Sequence, residues 1–82
     1  MGQTELNEKI EVLAKFKKGG LTPLAFKING RTIRVDSIDL KYDYRSGGVD
    51  FYSYSVLGNG NSYKITYNAK ELSWKLEEVW DV

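Results

Sequence analysis

The chain has no cysteine and no histidine. The first absence removes disulfides and thiolate metal sites. The second removes the commonest general base together with the commonest metal ligand. Proline occurs once, at Pro23, so almost nothing interrupts extended backbone. Long hydrophobic runs are missing too. Stretches such as Val12-Leu13-Ala14 fall far short of the ~20 apolar residues of a helical membrane span. The opening "MGQTELNEK" has neither a basic nor an apolar leader region, and Leu6 stands where a myristoylation signal has Ser or Thr. A cytoplasmic protein without a membrane span is therefore expected, and the lack of cysteine fits a reducing compartment.

What is present is a short chain rich in large rings. Eighty-two residues make one small domain. A domain of that size buries only roughly 60% of its unfolded surface, so its core must be dense. Three Phe, six Tyr and two Trp supply that density. The formal charge of +1 is unevenly spread. Residues 9–45 carry nine basic and four acidic side chains, net +5, whereas residues 46–82 carry three basic and five acidic, net −2. Glu5 and Glu8 complete the total. The molecule is polarised rather than basic.

Glycine and asparagine punctuate the chain at Gly19-Gly20, Asn29-Gly30, Gly47-Gly48 and Gly58-Asn59-Gly60-Asn61, with Tyr, Ile and Val between. This spacing predicts a β-meander. Asn-Gly is the preferred pair for a two-residue type I′ turn, in which both central residues need positive φ. A turn on Asn29-Gly30 pairs Ile28 with Arg31, Phe26 with Ile33, and Leu24 with Val35. Leu24, Phe26, Ile28, Ile33 and Val35 then share one face, and Ala25, Lys27, Thr32 and Arg34 the other. After Val35 the apolar parity flips, giving Ile38, Leu40 and Tyr42 as the inward series. A bulge or bend at Asp36-Ser37 explains the flip and favours a barrel over a flat sheet.

The second half repeats the logic. A turn on Asn59-Gly60 pairs Val56 with Tyr63, Tyr54 with Ile65, and Tyr52 with Tyr67. A further turn over Asn68–Glu71 pairs Tyr67 with Leu72, Ile65 with Trp74, and Tyr63 with Leu76. Ser53, Ser55, Lys64, Thr66, Ser73 and Lys75 fall on the opposite face. The tyrosines and Trp74 therefore form a core layer rather than a stacking surface. Trp80 is expected to cover an open end of the barrel.

The N-terminal stretch reads two ways. "KIEVLAKF" alternates as a strand with Ile10, Val12, Ala14 and Phe16 on one face, and pairing Phe16 with Leu24 gives it a partner. A helix over residues 4–18, capped by Thr4 and stopped by Gly19, is the alternative. The strand is favoured, with residues 1–7 as a flexible N-terminus and residues 8–82 as the domain.

The stretch "TPLAFKINGRTIRVDSI" resembles a group of small bacterial proteins of uncharacterised function. These share a Pro-Leu-x-Phe strand, an Asn-Gly-Arg hairpin and a later Tyr- and Trp-containing meander. The resemblance spans about residues 9–80 and its motifs are structural. It implies an all-β fold and brings no activity or site.

Catalysis finds little support in the residues. Asp36, Asp39 and Asp43 lie near one another, but without the spacing of a calcium loop, and Lys41 and Arg45 balance them. No phosphate-binding glycine motif is present, and "GNGN" suits a turn better than an anion nest. No cofactor and no enzymatic activity are expected.

The basic segment is more suggestive. With Phe16 opposite Leu24, Lys15, Ala25 and Arg34 form one outward row, Leu13, Lys27 and Thr32 form the next, and Lys17 and Arg31 lie near the ends. Such a face suits phosphates, with Tyr42 and Tyr44 as stacking groups. A solvated face whose lysines discourage aggregation explains the same residues.

The reading is a five- or six-stranded antiparallel barrel or bent roll, SH3-like, acting as a non-catalytic binding module. Nucleic acid is the first partner, met through Lys15, Lys17, Lys27, Arg31, Arg34, Tyr42 and Tyr44. The rival is a protein-interaction or self-association module that uses an edge strand or the Tyr42–Phe51 loop.

Overall fold

A computed structural model describes residues 3–18 and 20–81, with side chains described for 6–18 and 20–80. Seven strands follow one another: β1 (Gln3–Lys17), β2 (Gly20–Ile28), β3 (Arg31–Arg34), β4 (Ser37–Ser46), β5 (Val49–Gly58), β6 (Asn61–Asn68) and β7 (Ser73–Asp81). They form one antiparallel sheet in the order β3-β2-β1-β7-β6-β5-β4. The sheet is curled, because β3 and β4 stand at its two ends yet are joined by Val35 and Asp36 alone. Val35 N–H donates to Leu24 O on β2 at 2.9 Å, and Asp36 N–H donates to Leu57 O on β5 at 2.8 Å. One residue is still tied to the first half of the sheet and the next already belongs to the second. The sheet thus has seven strands where the sequence predicts five or six, because the bend at Val35-Asp36 divides one extended segment into β3 and β4.

The two-residue turns are type I′ in their φ values. Asn29 and Gly30 have φ of 50° and 79°, and Asn59 and Gly60 have 51° and 79°. Both hairpins hold the register that their sequences predict. Phe26 faces Ile33 across one, and Tyr54 faces Ile65 across the other. Gly47 and Gly48, at 58° and 78°, make a third such turn between β4 and β5.

Residues 10–17 lie in strand β1, in keeping with the strand reading of the sequence, and the strand reaches back to Gln3, which pairs with Trp80. The paired part of the chain thus begins before residue 8; Met1 and Gly2 lie outside the described residues. Among the described residues there is no helix, so none is long and apolar enough to cross a membrane.

Leu21, Phe26, Ile33, Tyr54, Val56, Tyr63, Ile65, Tyr67, Trp74 and Leu76 form the core on the concave side. Each large side chain removed from water there contributes about 1.5–3 kcal/mol. The rings interlock: Phe26 meets Tyr63 edge-on at 5.0 Å between centroids, and Trp74 lies 5.0 Å from Tyr67 and 5.8 Å from Tyr54. Tyr54 reconciles its hydroxyl with burial by donating to Leu21 O at 2.6 Å.

Bulges correct several sequence expectations. Leu13 pairs with Ala25 but Ala14 pairs with Pro23, so Leu24 is an extra residue on β2. Leu24 is exposed, and Pro23 and Leu21 take the inward places. Pro23 lacks a donor, and the bulge beside it accommodates that lack. Phe16 consequently faces Leu21 rather than Leu24, and it is 74% exposed beyond the core. On β4, Asp39 is the extra residue between Ile38 and Leu40. Ile38 stays inward, while Leu40 and Tyr42 turn to the convex face. The β6–β7 connection is longer than expected: Tyr67 pairs with Trp74, Ile65 with Leu76 and, past a bulge at Glu77, Tyr63 with Val79. Trp80 pairs with Ser62, which sets it on the convex face rather than over a barrel end.

Candidate nucleic-acid interface and the aromatic face

The convex side of β1–β3 carries the outward cations. Lys15 and Lys17 follow Glu11 and Leu13 along β1, Lys27 stands on β2, and Arg34 on β3. All four are exposed. The observed rows differ from the expected ones by one pair. Leu13, Ala25 and Arg34 make one row, and Glu11, Lys27 and Thr32 make the next. Lys15 pairs with Thr22 and Lys17 with Gly20. The physical reason is the Leu24 bulge, which allows β1 to sit one pair further along β2. Arg31 pairs with Ile28 and shares its parity, so it leaves from the other face of the hairpin end. Leu13, Ala25 and Thr32 floor a shallow depression flanked by Glu11 and Lys27. This face thus holds five exposed cations, Lys9 being the fifth, with Glu11 and the exposed Leu13 among them. The two ion pairs described, Arg45 with Asp50 at 2.9 Å and Lys64 with Glu77 at 3.4 Å, involve none of those cations.

Tyr42 and Tyr44 lie elsewhere. They project from the convex side of β4, on the second half of the sheet, and join Phe51 in a row of rings. Tyr44 and Phe51 stack at 5.1 Å with planes 15° apart, and Tyr42 follows at 6.0 Å. The structure therefore separates the expected stacking groups from Lys27 and Arg34. Phe51 was legible: a turn centred on Gly47-Gly48 sets it opposite Tyr44.

Behind the rings runs a polar row that crosses five strands: Tyr42, Ser53, Thr66, Lys75 and Lys9. Ser53 and Thr66 are buried beneath their neighbours, and their hydroxyls meet at 2.9 Å. The Lys64 ammonium stands 5.9 Å from the centre of the Tyr42 ring and reaches Glu77 on its other side. Hydrogen bonding to Ser53, and then to Lys64, holds the Tyr42 phenol below its ordinary value. The same contact with Tyr42 is the largest cause raising Lys64. Burial, and then the Glu77 charge, push Tyr44 the other way. These groups stand on an open face and act as a polar support for the rings.

The three aspartates of the sequence do not converge. Among the described residues no three carboxylates gather as a metal site would require. Asp39 sits at the β4 bulge, and Asp43 pairs with Tyr52. No protein-family model matches the chain, and neither a curated protein nor a solved structure matches it.

Proposed function

We propose that the protein is a non-catalytic binding module, an SH3-like half-barrel, that contacts the phosphates of nucleic acid through Lys15, Lys17, Lys27 and Arg34. The observation carrying this reading is that Lys15, Lys17, Lys27 and Arg34, all exposed, leave one side of β1–β3, with Lys9 further along β1 and Glu11 as the carboxylate in their rows. Contact of this kind reads charge rather than sequence and weakens steeply with salt. Tyr42 and Tyr44 are left out of it, since their rings stack on each other and on Phe51 on the other half of the sheet. The test is fluorescence anisotropy with mixed-sequence oligonucleotides at two salt concentrations. Binding is expected at low salt, lost on raising salt and abolished by Lys27→Glu with Arg34→Glu. Absence of low-salt binding, or binding indifferent to salt and to both reversals, refutes the reading.

A second reading, contact with another polypeptide, is favoured by one specific feature. Strand β4 is ten residues long and, among the described residues, pairs along one edge only, with β5. Leu40 is 55% exposed, and Tyr42 and Tyr44 are each 41% exposed, along its convex side. A long exposed edge is a template for a further strand.

A further inference from the structure

We infer that the partner of the β4 edge is a second copy of this chain, paired antiparallel with Tyr42 opposite Tyr42 on a two-fold axis. This rests on the second reading above, and it names the occupant and the register.

The backbone decides which registers are open. Ser46 and Val49 close the two-residue Gly47-Gly48 turn. Such a closing pair exchanges hydrogen bonds, and the alternation continues along the ladder. Ser46, Tyr44 and Tyr42 therefore direct their N–H and C=O groups to β5. Arg45, Asp43 and Lys41 direct theirs to the free edge. A second β4 must oppose its own odd-numbered residues to these, so only every second register makes hydrogen bonds.

Charge then selects among those registers. With Tyr42 on the axis, Lys41 faces Asp43 of the other copy, a pair that occurs twice by symmetry, and Arg45 reaches the other strand at its Asp39 bulge. One allowed step in one direction opposes Lys41 to Lys41 and Asp39 to Asp43. One step in the other opposes Asp43 to Asp43 and Lys41 to Arg45. Opposite charges directly across strands stabilise and like charges oppose pairing. Two steps restore attraction, but with fewer charge pairs and less overlap. On the convex side the axial register sets Leu40 opposite Tyr44 and Tyr42 opposite itself, extending the row of rings across the axis.

The local structure is compatible with this arrangement. Lys41, Asp43 and Arg45 are exposed although they share the parity of the inward Tyr54 and Tyr52. Arg45 already holds Asp50, but with five donors it can serve a second carboxylate. The Lys41 ammonium lies near Gly20 of the chain's own β2, 3.9 Å from where a Cβ there would stand. A lone inward lysine on an edge strand resists foreign strands. Here it meets Asp43 of its own kind, so the same residue excludes other partners and admits this one.

The absence of cysteine makes the test direct. Tyr42 would form a non-hydrogen-bonded pair with itself, with Cα atoms about 4.5 Å apart, within the range of about 4.4–6.8 Å that a disulfide accepts. Light scattering across concentration is expected to show a dimer. Tyr42→Cys is expected to cross-link with itself under mild oxidation, and Leu40→Cys only when mixed with Tyr44→Cys. Lys41→Asp is expected to weaken the dimer at least about tenfold, and Lys41→Asp with Asp43→Lys to restore it. A chain that stays monomeric overturns the second copy as occupant while leaving the edge open to a different polypeptide. A dimer that forms equally well in Asp43→Pro, which removes an edge N–H, overturns the edge itself. A dimer in which Tyr42→Cys fails to cross-link, or one insensitive to Lys41→Asp, overturns the register.

Discussion

Ser53 Oγ and Thr66 Oγ1 lie 2.9 Å apart, both buried, on the convex face of the sheet. Rings from β4 and long side chains from β6 and β7 roof them over. Thr66→Val leaves the buried Ser53 hydroxyl without its Thr66 partner and is expected to destabilise by about 1 kcal/mol. Ser53→Ala removes the same bond and the largest cause lowering Tyr42, so it is expected to destabilise by a similar amount and to raise the Tyr42 phenol toward its ordinary value. Urea unfolding reads the first effect and ultraviolet titration the second.

Two glycines separate the demands of space from those of backbone. A Cβ at Gly58 would sit 2.6 Å from Arg34 O and 2.8 Å from Ile33 Cγ2. That is where β5 comes closest to the β3 end, so Gly58→Ala is expected to cost about 1–3 kcal/mol through overpacking. Gly60 faces open space but has φ of +79°. Gly60→Ala is expected to cost less, about 1 kcal/mol, through backbone strain alone. Thermal unfolding of the two variants gives the order.

Leu72 offers the opposite case. It has φ of 55° and its side chain is 74% exposed in the β6–β7 turn. Asn68 shapes that turn, its Oδ1 accepting from the N–H groups of Lys70 and Glu71 at 2.9 Å each. Leu72→Gly relieves the left-handed conformation and is expected to stabilise by up to about 1 kcal/mol, measured as a shift in urea midpoint at unchanged slope.

The tyrosines are expected to ionise in a defined order, Tyr42 before Tyr44 and Tyr54. Tyr42 is lowered by Ser53 and Lys64, while Tyr44 and Tyr54 are raised, each first by burial. A raised folded value means that stability is complete below the unfolded value near 10 and is lost as pH climbs through the folded one. Tyr42 contributes with the opposite sign, its share present above the unfolded value and lost as pH falls through the depressed folded one. Stability is therefore expected to fall above pH 10 through Tyr54, and Tyr42→Phe to delete the phenol that titrates before Tyr44 and Tyr54 from the absorbance curve.

Glu11 tests the charge reading without disturbing the core. It is exposed in the row of Lys27 and Thr32. Glu11→Lys is expected to tighten oligonucleotide binding and to steepen its salt dependence by about one cation.

Hairpin registers are legible because Asn-Gly fixes both the turn and the pairing, and the flanking apolar residues agree with it. The bulges are not. Leu24, Asp39 and Glu77 each add one residue to one strand where the sheet bends, and a single added residue moves every later side chain to the other face. Pro23 marks one such place, and the parity flip after Val35 marks the bend that precedes the Asp39 bulge. The site is affected accordingly: the cations belong to β1–β3 as the sequence implies, but Lys15 lies away from Arg34, Glu11 comes beside Lys27, and Arg31 leaves by the other side. Alternation with Ile38 and Leu40 points Tyr42 inward, and the extra Asp39 turns it out. Lys64 is outward as its parity requires, yet its approach to Tyr42 spans three strands, beyond what pairwise alternation reveals.

Because Gln3 pairs with Trp80, the first and last strands, β1 and β7, lie side by side in the sheet. A circular permutant that ties the ends with a short linker and reopens the chain between Gly47 and Gly48 should rebuild the same sheet. It would also give β4 a free end, placing the exposed edge strand under separate control from the rest of the fold.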